Sequence, residues 1–185
     1  MHKQRKTQMK NEILNDKGYV LEIDIGTHTC PDAVMTINKG DYRKIRKQYK
    51  GRIHAEVRDK RMYARINIGS DCILVHKLIH PDWTNIDHRD GDGLNNRRSN
   101  LRKATDSQNL SNRTRINKNN TSGCTGVIPT RNGRWKAVLH CRRKNVYLGT
   151  YSDKADAVLA RLKGEAKYYK SFMPKKNRKL LAQII

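Results

Sequence analysis

Residues 86–102 read IDHRDGDGLNNRRSNLR, and the rest of the chain is organised around this stretch. Ile86-Asp87-His88 predicts the end of one strand, and the Gly, Asp and Asn residues that follow predict a loop. Residues 100–104 predict a second strand. Thr105 and Gln108 then match a capping box, so a helix should begin at Asp106. The predicted order is strand, strand and helix, with Asn109 early in the helix.

The polar residues of this stretch suit the hydrolysis of a phosphodiester bond. A His can take a proton from water near neutral pH, and a hard divalent ion can neutralise a phosphate. Asp87 offers a carboxylate and Asn109 an amide oxygen, ligands that suit Mg²⁺, with Mn²⁺ as a substitute. An Asp-His pair alone is more often an ordinary loop feature. Moreover, neighbouring strand residues point to opposite faces, so Asp87 and His88 share a pocket only if the strand is kinked.

The stretch resembles the HNH, or ββα-metal, nucleases of the homing and phage type. The matching segments are Ile86 to Asp92, Leu94 to Arg97, Asn100 to Arg102 and Gln108-Asn109. This resemblance implies that His88 is the general base, that Asp87 and Asn109 bind the ion, and that Asn100 braces the loop or orients His88. The third letter of the family pattern is Asn109 here and not His, which fits a subgroup with an Asp/Asn metal pair. Val75 to Ile79 also resembles the segment that leads into such sites.

The composition indicates a polyanionic partner. The 185 residues include 40 Lys and Arg against 17 Asp and Glu, a formal net charge of +23. Nucleic acid is the default partner for such an excess, and an anionic membrane surface or a ribosomal role are the alternatives. No apolar run is long enough to span a bilayer, no secretory signal pattern opens the sequence, and the four Cys form no C-x-x-C pair. We therefore expect a cytoplasmic protein with reduced thiols and no membrane association.

Basic residues crowd around and beyond the central stretch. We expect phosphate contacts from the following side chains: Arg97, Arg98, Arg102, Lys103, Arg113, Arg115 and Lys118. A run of charges is usually only a solvated face, and the phosphate interpretation depends on its place beside the nuclease-like motif.

The C-terminal third predicts three strands followed by one helix. The strands lie near residues 126–128, 134–140 and 145–151, and Asn132-Gly133 marks a hairpin turn. Ser152 or Asp153 caps the helix. Its apolar face is predicted to contain Ala155, Val158, Leu159, Leu162, Ala166 and Tyr169.

This module resembles the plant ethylene-response-factor (ERF) type of DNA-binding domain, which also occurs attached to HNH nucleases of phages. The resemblance rests on Gly126-Val127, Gly133 to Ala137, Tyr147 to Tyr151 and the Ala-rich helix. That family lays its sheet in the major groove of double-stranded DNA. The resemblance thus implies DNA contacts from Arg131, Arg134, Lys136, His140, Arg142 and Lys144. Ile128 stands where the plant pattern usually has an Arg, so the target sequence cannot be carried over.

Together these patterns predict an α+β fold with a small N-terminal β platform, a central ββα-metal motif and a C-terminal three-stranded antiparallel sheet packed on one helix. The expected regions are a basic arm at 1–17, a mostly β region with little core at 18–80, the nuclease motif at 81–118, the ERF-like domain at 119–174 and a basic tail at 175–185. Because no long heptad pattern is present, we expect a monomer without an obligate protein partner.

Two main classes of function remain open from the sequence, with a structured-RNA or ribosomal protein as a more distant third. The first is a DNA endonuclease that uses one divalent ion, with target bias supplied by the C-terminal module. The second is a non-catalytic, sequence-specific DNA-binding regulator whose nuclease site is a relic. Cleavage of DNA in the presence of Mg²⁺ distinguishes the two.

Overall fold

The computed structural model describes residues 11–58, 60–112 and 116–185 and has an α+β fold, as predicted. The predictions for residues 1–10, Arg113 and Arg115 lie outside the described residues. Contacts divide the chain into two units, one of residues 1–88 and 92–103 and the other of residues 89–91 and 104–185. No helix in the described ranges is long and apolar enough to cross a membrane.

The first unit contains nine short strands and two helices among the described residues. In chain order they are β1 (Ile13–Asp16), β2 (Val20–Asp24), β3 (Val34–Asn38), α1 (Lys39–Gln48), β4 (Ile53–Arg58), β5 (Arg61–Ile68), β6 (Asp71–Leu74), α2 (Val75–Ile79), β7 (Ile86–His88), β8 (Asn95–Asn96) and β9 (Leu101–Lys103). One sheet has the order β1-β2-β3-β8, with β8 parallel to β3. A second sheet is β4-β5-β6, and β7 pairs with β9.

The core of this unit is larger than the sequence suggested. Seventeen buried residues form one cluster, which includes Leu21, Ile23 and Ile25 as well as Ile66 of β5. The strands β2, β3, β4 and β5 contribute two each at alternate positions, and β7 and β9 one each, so no single segment looks strongly apolar. The prediction of a β platform with little core is wrong for this reason.

The N-terminal arm and the apolar stretch at 73–80 also differ from expectation. Part of the predicted arm is β1, which pairs with β2. Just before β1, the buried Asn11 exchanges two hydrogen bonds with the backbone of Ile53, at 2.6 and 2.9 Å. The apolar stretch divides at Leu74 into a strand and the helix α2. Short apolar runs do not distinguish strand from helix, which explains why the pattern did not reveal α2.

The second unit has the predicted sheet and helix. Its elements are α3 (Asp106–Ser111), β10 (Val127–Pro129), β11 (Trp135–Cys141), β12 (Lys144–Tyr151), α4 (Lys154–Tyr169), a short 3-10 helix (Lys170–Phe172) and α5 (Lys175–Ile184). The three strands form an antiparallel sheet in the order β10-β11-β12, and α4 packs against it. Asp153 caps α4 by accepting a hydrogen bond from the Ala155 amide at 2.7 Å.

The buried face of α4 is rotated from the predicted one. Ala155 and Ala166 are exposed, whereas Arg161 and Glu165 are buried and form an ion pair at 3.0 Å. Arg161 also donates to the carbonyl of Val138 in the sheet at 2.9 Å. A buried, paired charge is invisible to an apolar count, so the predicted stripe missed this part of the interface.

The C-terminal tail is a helix that completes the second unit. Pro174 is the N-cap residue of α5, which begins directly after it. Leu181 of α5 joins the cluster formed with Leu139 and Leu162, and Asn177 donates to Glu165 at 2.8 Å. The basic tail is therefore part of the folded unit.

Candidate functional site

Asp87 and Arg102 form a buried ion pair across the two central strands. The register of β7 and β9 places them opposite each other, and they are 4% and 7% exposed. The Oδ2 of Asp87 accepts from Nε of Arg102 at 2.7 Å and lies 2.6 Å from its Nη2. A buried carboxylate needs such a partner, because an isolated charge is costly away from water. Arg102 was expected to contact DNA phosphate; its position is instead inside the protein.

His88 lies against two other rings. It is 6% exposed, with its ring centroid 5.0 Å from that of His76 and 6.1 Å from that of Tyr63. Tyr63 comes from β5 and His76 from α2, so the sheet and helix of the N-terminal region supply the surroundings of the motif. His76 lies in the segment from Val75 to Ile79 that resembles the lead-in to such sites, and Tyr63 was not predicted as a site residue.

The pairing of β7 is regular through both residues, with Asp87 opposite Arg102 and His88 opposite Leu101. Neighbouring residues of a regular strand face opposite sides. Asp87 contacts Arg102, and the ring of His88 contacts those of Tyr63 and His76. That Asp87 and His88 both reach one pocket at the end of β7 stays a prediction.

His76 is held as a neutral imidazole. Burial first, and then the neighbouring His88 and Lys77, lower its pKa from 6.5 to about 3. Its Nδ1 is buried and has no hydrogen-bond partner among the described residues. Because a neutral His carries no charge near pH 7, the ring beside His88 acts as an aromatic and polar neighbour and not as a cation.

The loop between β7 and β9 is braced by amide side chains. Asn100 donates to the carbonyl of Asn95 at 2.8 Å. Its role in a nuclease site stays a prediction. The Oδ1 of Asn95 accepts from Thr36 of β3 at 3.1 Å and from Arg97 at 2.9 Å. Asn96, completely buried, donates to backbone carbonyls of the same loop. These bonds fix the loop to the larger sheet.

Gly93 brings this loop close to Tyr63. A Cβ at this position would lie 2.3 Å from the carbonyl oxygen of Met62 and 2.5 Å from the ring of Tyr63. No side chain fits into that space, so the glycine permits the contact between the loop and β5. From the sequence, this Gly was interpreted only as part of a loop.

Other predicted DNA contacts in this unit differ in their environment. Arg97 and Lys103 are exposed. Arg98 makes a two-pronged ion pair with the buried Asp41, with Nε–Oδ2 and Nη2–Oδ1 both at 2.7 Å. The hydrogen bond to Asp41 raises the pKa of Arg98. Because its guanidinium already binds the Asp41 carboxylate, Arg98 ties the loop to α1. It is a weaker candidate for phosphate contact than Arg97 and Lys103.

Asn109 belongs to the second unit, on α3. The capping box that predicted this helix is confirmed, with the Thr105 side chain accepting from the Gln108 amide at 3.3 Å and the Thr105 amide donating to Gln108 at 2.8 Å. Asn109 follows in the first turns and is half-buried. That it joins Asp87 in holding an ion stays a prediction.

The chemistry of Asp87 fits a hard divalent ion, because carboxylate oxygens are the ligands that Mg²⁺ and Mn²⁺ prefer. Residues 11–58, 60–112 and 116–185 contain no group of three or more His, Cys, Asp or Glu able to hold a metal. A metal site at Asp87 is therefore a prediction and not an observation. Because Arg102 contacts Oδ2 of Asp87, the local negative charge there is smaller than that of a carboxylate without a cationic partner.

The second unit presents a basic face on its sheet. The predicted DNA contacts there are all exposed: Arg131, Arg134, Lys136, His140, Arg142 and Lys144. Ala137 and Leu139 of β11 are buried beneath α4. By strand alternation, Lys136 and His140 face the other way. This face also carries Tyr147, which is 62% exposed and has the Lys136 ammonium 5.8 Å from its ring centroid.

The tip of the hairpin between β11 and β12 is formed by two arginines. Arg142 and Arg143 have φ angles of 50° and 64°, in the left-handed region that Gly and Asn usually occupy in such turns. Each costs on the order of 1 kcal/mol relative to a residue suited to the turn. The turn thus keeps two exposed cations at the expense of backbone strain.

The chain matches no protein-family model, no curated protein and no solved structure.

Proposed function

We propose that the chain is a metal-dependent DNA endonuclease of the HNH type, with His88 as the general base. The observation that carries the proposal is the buried Asp87-His88 pair at the end of β7, beside a loop braced by Asn100. Burying polar side chains costs free energy, and a loop that only reverses the chain does not need them. A net charge of +23 supplies the attraction for a polyanionic substrate.

In this proposal His88 accepts the proton of a water molecule that attacks the scissile phosphate. An imidazole is suited to this step because its ordinary pKa range lies near neutral pH. The packing of His88 against Tyr63 and His76 limits the positions of the ring. A general base must be held within hydrogen-bond reach of the proton it abstracts, so this packing favours the role.

Asp87 and Asn109 would hold a divalent ion, Mg²⁺ or Mn²⁺. When bound, such an ion neutralises charge on the phosphate and stabilises the leaving oxygen. Arg102 fixes the orientation of the Asp87 carboxylate through Oδ2. A ligand whose rotamer is locked by a partner is better organised for binding than a mobile one.

Exposed basic residues would bind the DNA. Arg97 and Lys103 are exposed in the first unit, and the sheet face with Lys136 and His140 belongs to the second. Lys and Arg bind phosphates mainly through charge, so this contact should be strongly dependent on salt. Target bias would come from side chains that reach base edges from the sheet.

A non-catalytic DNA-binding regulator is the second candidate, and one observation favours it. The Asp87 carboxylate has a buried ion-pair partner in Arg102. The two residues would then be kept for stability in a protein that does not cut DNA. In that case the exposed basic face of the sheet would carry the whole function.

Cleavage of supercoiled plasmid tests the proposal. Purified native chain with Mg²⁺ should convert plasmid to the nicked form, and His88→Ala should bind DNA equally well without cutting. His28→Ala is the matched control, because His28 is an exposed histidine of the same unit. The proposal is wrong if native chain and His88→Ala both bind DNA and neither cuts.

A further inference from the structure

Three aromatic rings in the first unit contact one another in a closed triangle. The centroid of His88 lies 5.0 Å from His76 at an interplanar angle of 83°, and 6.1 Å from Tyr63 at 60°. The remaining side of the triangle, from Tyr63 to His76, measures 6.2 Å at 63°. Edge-to-face and tilted arrangements at these distances are favourable for aromatic pairs.

Each of the two rings around His88 is fixed by the fold. Tyr63 lies on β5, which pairs with β4 through six consecutive residue pairs and with β6 on its other side. Gly93 of the loop approaches the same ring so closely that a Cβ there would lie 2.5 Å from it. Tyr63 is thus packed between its own strand and the loop that follows His88.

The second ring, His76, is held in place by its burial on α2. It is 6% exposed on α2, between the buried Val75 and the Lys77 ammonium, which donates to the carbonyl of Trp83 at 3.0 Å. Burial keeps the pKa of His76 far below neutrality, so at neutral pH it is a neutral ring beside His88.

We propose that Tyr63 and His76 are positioning residues that fix the ring orientation of His88. This inference deepens the proposed function and rests on it for the catalytic consequence, whereas the packing itself is independent of any reaction. The χ2 angle of a His is broad and roughly two-fold, so an imidazole without neighbours samples several orientations. Rings on two sides restrict it to one.

The catalytic consequence follows from how sharply a base must be placed. A displacement of about 1 Å can reduce the rate of a reaction by about 100-fold. Loss of either ring should therefore lower the rate constant of cleavage more than the affinity for DNA. Neither residue is exposed like the basic residues of the surface, so a direct role in DNA binding does not explain the same result.

Paired substitutions test the inference. Tyr63→Phe and His76→Phe keep a ring at each position, whereas Tyr63→Leu and His76→Leu remove it. Single-turnover cleavage of a duplex with Mg²⁺ gives the rate at saturating protein and the protein concentration for half-saturation. The Leu variants should cut about 10- to 100-fold more slowly with half-saturation changed less than about two-fold, and the Phe variants should stay within about three-fold of native. Leu variants that cut at the native rate, or Phe variants that lose as much as Leu variants, overturn the inference.

The ring protons of His88 provide a readout that does not depend on activity. In the native protein their NMR signals should be displaced by the ring currents of Tyr63 and His76, and the displacement should persist in Tyr63→Phe. Native signals at the positions of a free His overturn the inference even if a Leu variant fails to fold. If native protein binds DNA without cutting while the displacement is present, the proposed function fails and the positioning of His88 stands as a structural fact only.

Discussion

Replacement of Arg102 by Met distinguishes two roles for this side chain. The structure places its guanidinium against the Asp87 carboxylate, with both residues buried and contacts of 2.7 and 2.6 Å. Removal of one partner of a buried ion pair costs about 3–5 kcal/mol, because the other charge stays in a poorly solvated position. For a urea m-value of about 2 kcal/mol per molar, a loss of about 4 kcal/mol lowers the unfolding midpoint of the first unit by about 2 M.

Trp83 fluorescence reports this transition, since Trp83 packs against the core of the first unit. A Trp135→Phe background removes the signal of the second unit. Lys103→Met is the matched control, because Lys103 is exposed on the same strand and its loss should cost less than about 0.5 kcal/mol. If Arg102→Met unfolds at the native midpoint but binds DNA more weakly, Arg102 is a surface phosphate contact and the buried pair is refuted.

Three further predictions follow from individual contacts. The folded pKa of His76 is about 3 against 6.5 for an ordinary His, so its contribution to stability is complete above pH 6.5 and falls with the pH, by about 2 kcal/mol at pH 5. A His76→Phe variant should therefore lose less stability between pH 7 and 5 in urea titrations, and an unchanged pH profile would argue against the burial of this ring. Gly93→Ala should cost about 1–3 kcal/mol in thermal unfolding because its Cβ meets Met62 and Tyr63, whereas Gly40→Ala, in open space on α1, should be neutral or stabilising; equal effects would contradict the close approach. Lys136→Ala should reduce DNA affinity for all sequences and lower the slope of log affinity against log salt by about 1, a change that a Lys outside the interface would not produce.

Local signals in the sequence predicted the second unit well. The capping box of α3 and the hairpin strands of the sheet each depend on residues only a few positions apart. Their energetics are local, so the pattern is sufficient. The buried face of α4 was missed because Arg161 and Glu165 enter the interface as a pair, which an apolar count treats as surface.

The motif of the candidate site could be recognised in the sequence, but the residues that surround it could not. Asp87, His88 and Asn100 stand at fixed spacings in one stretch, and the chemistry of each residue type is readable there. The partner of Asp87 depends on the register of β7 with β9, and the neighbours of His88 come from β5 and α2. Contacts of this kind are set by the packing of distant segments, for which a single sequence carries no periodic signal.

Metal-dependent cleavage of DNA by the native chain tests the central claim most directly. A supercoiled plasmid is incubated with native protein and Mg²⁺, with excess chelator, and with chelator followed by Mg²⁺ in excess; binding is measured in parallel, and DNA ligase is then added. The account predicts nicks that form only with the free ion and that ligase seals, because hydrolysis releases the 3′ oxygen and leaves a 5′ phosphate. Binding of plasmid without any metal-dependent nick would contradict it.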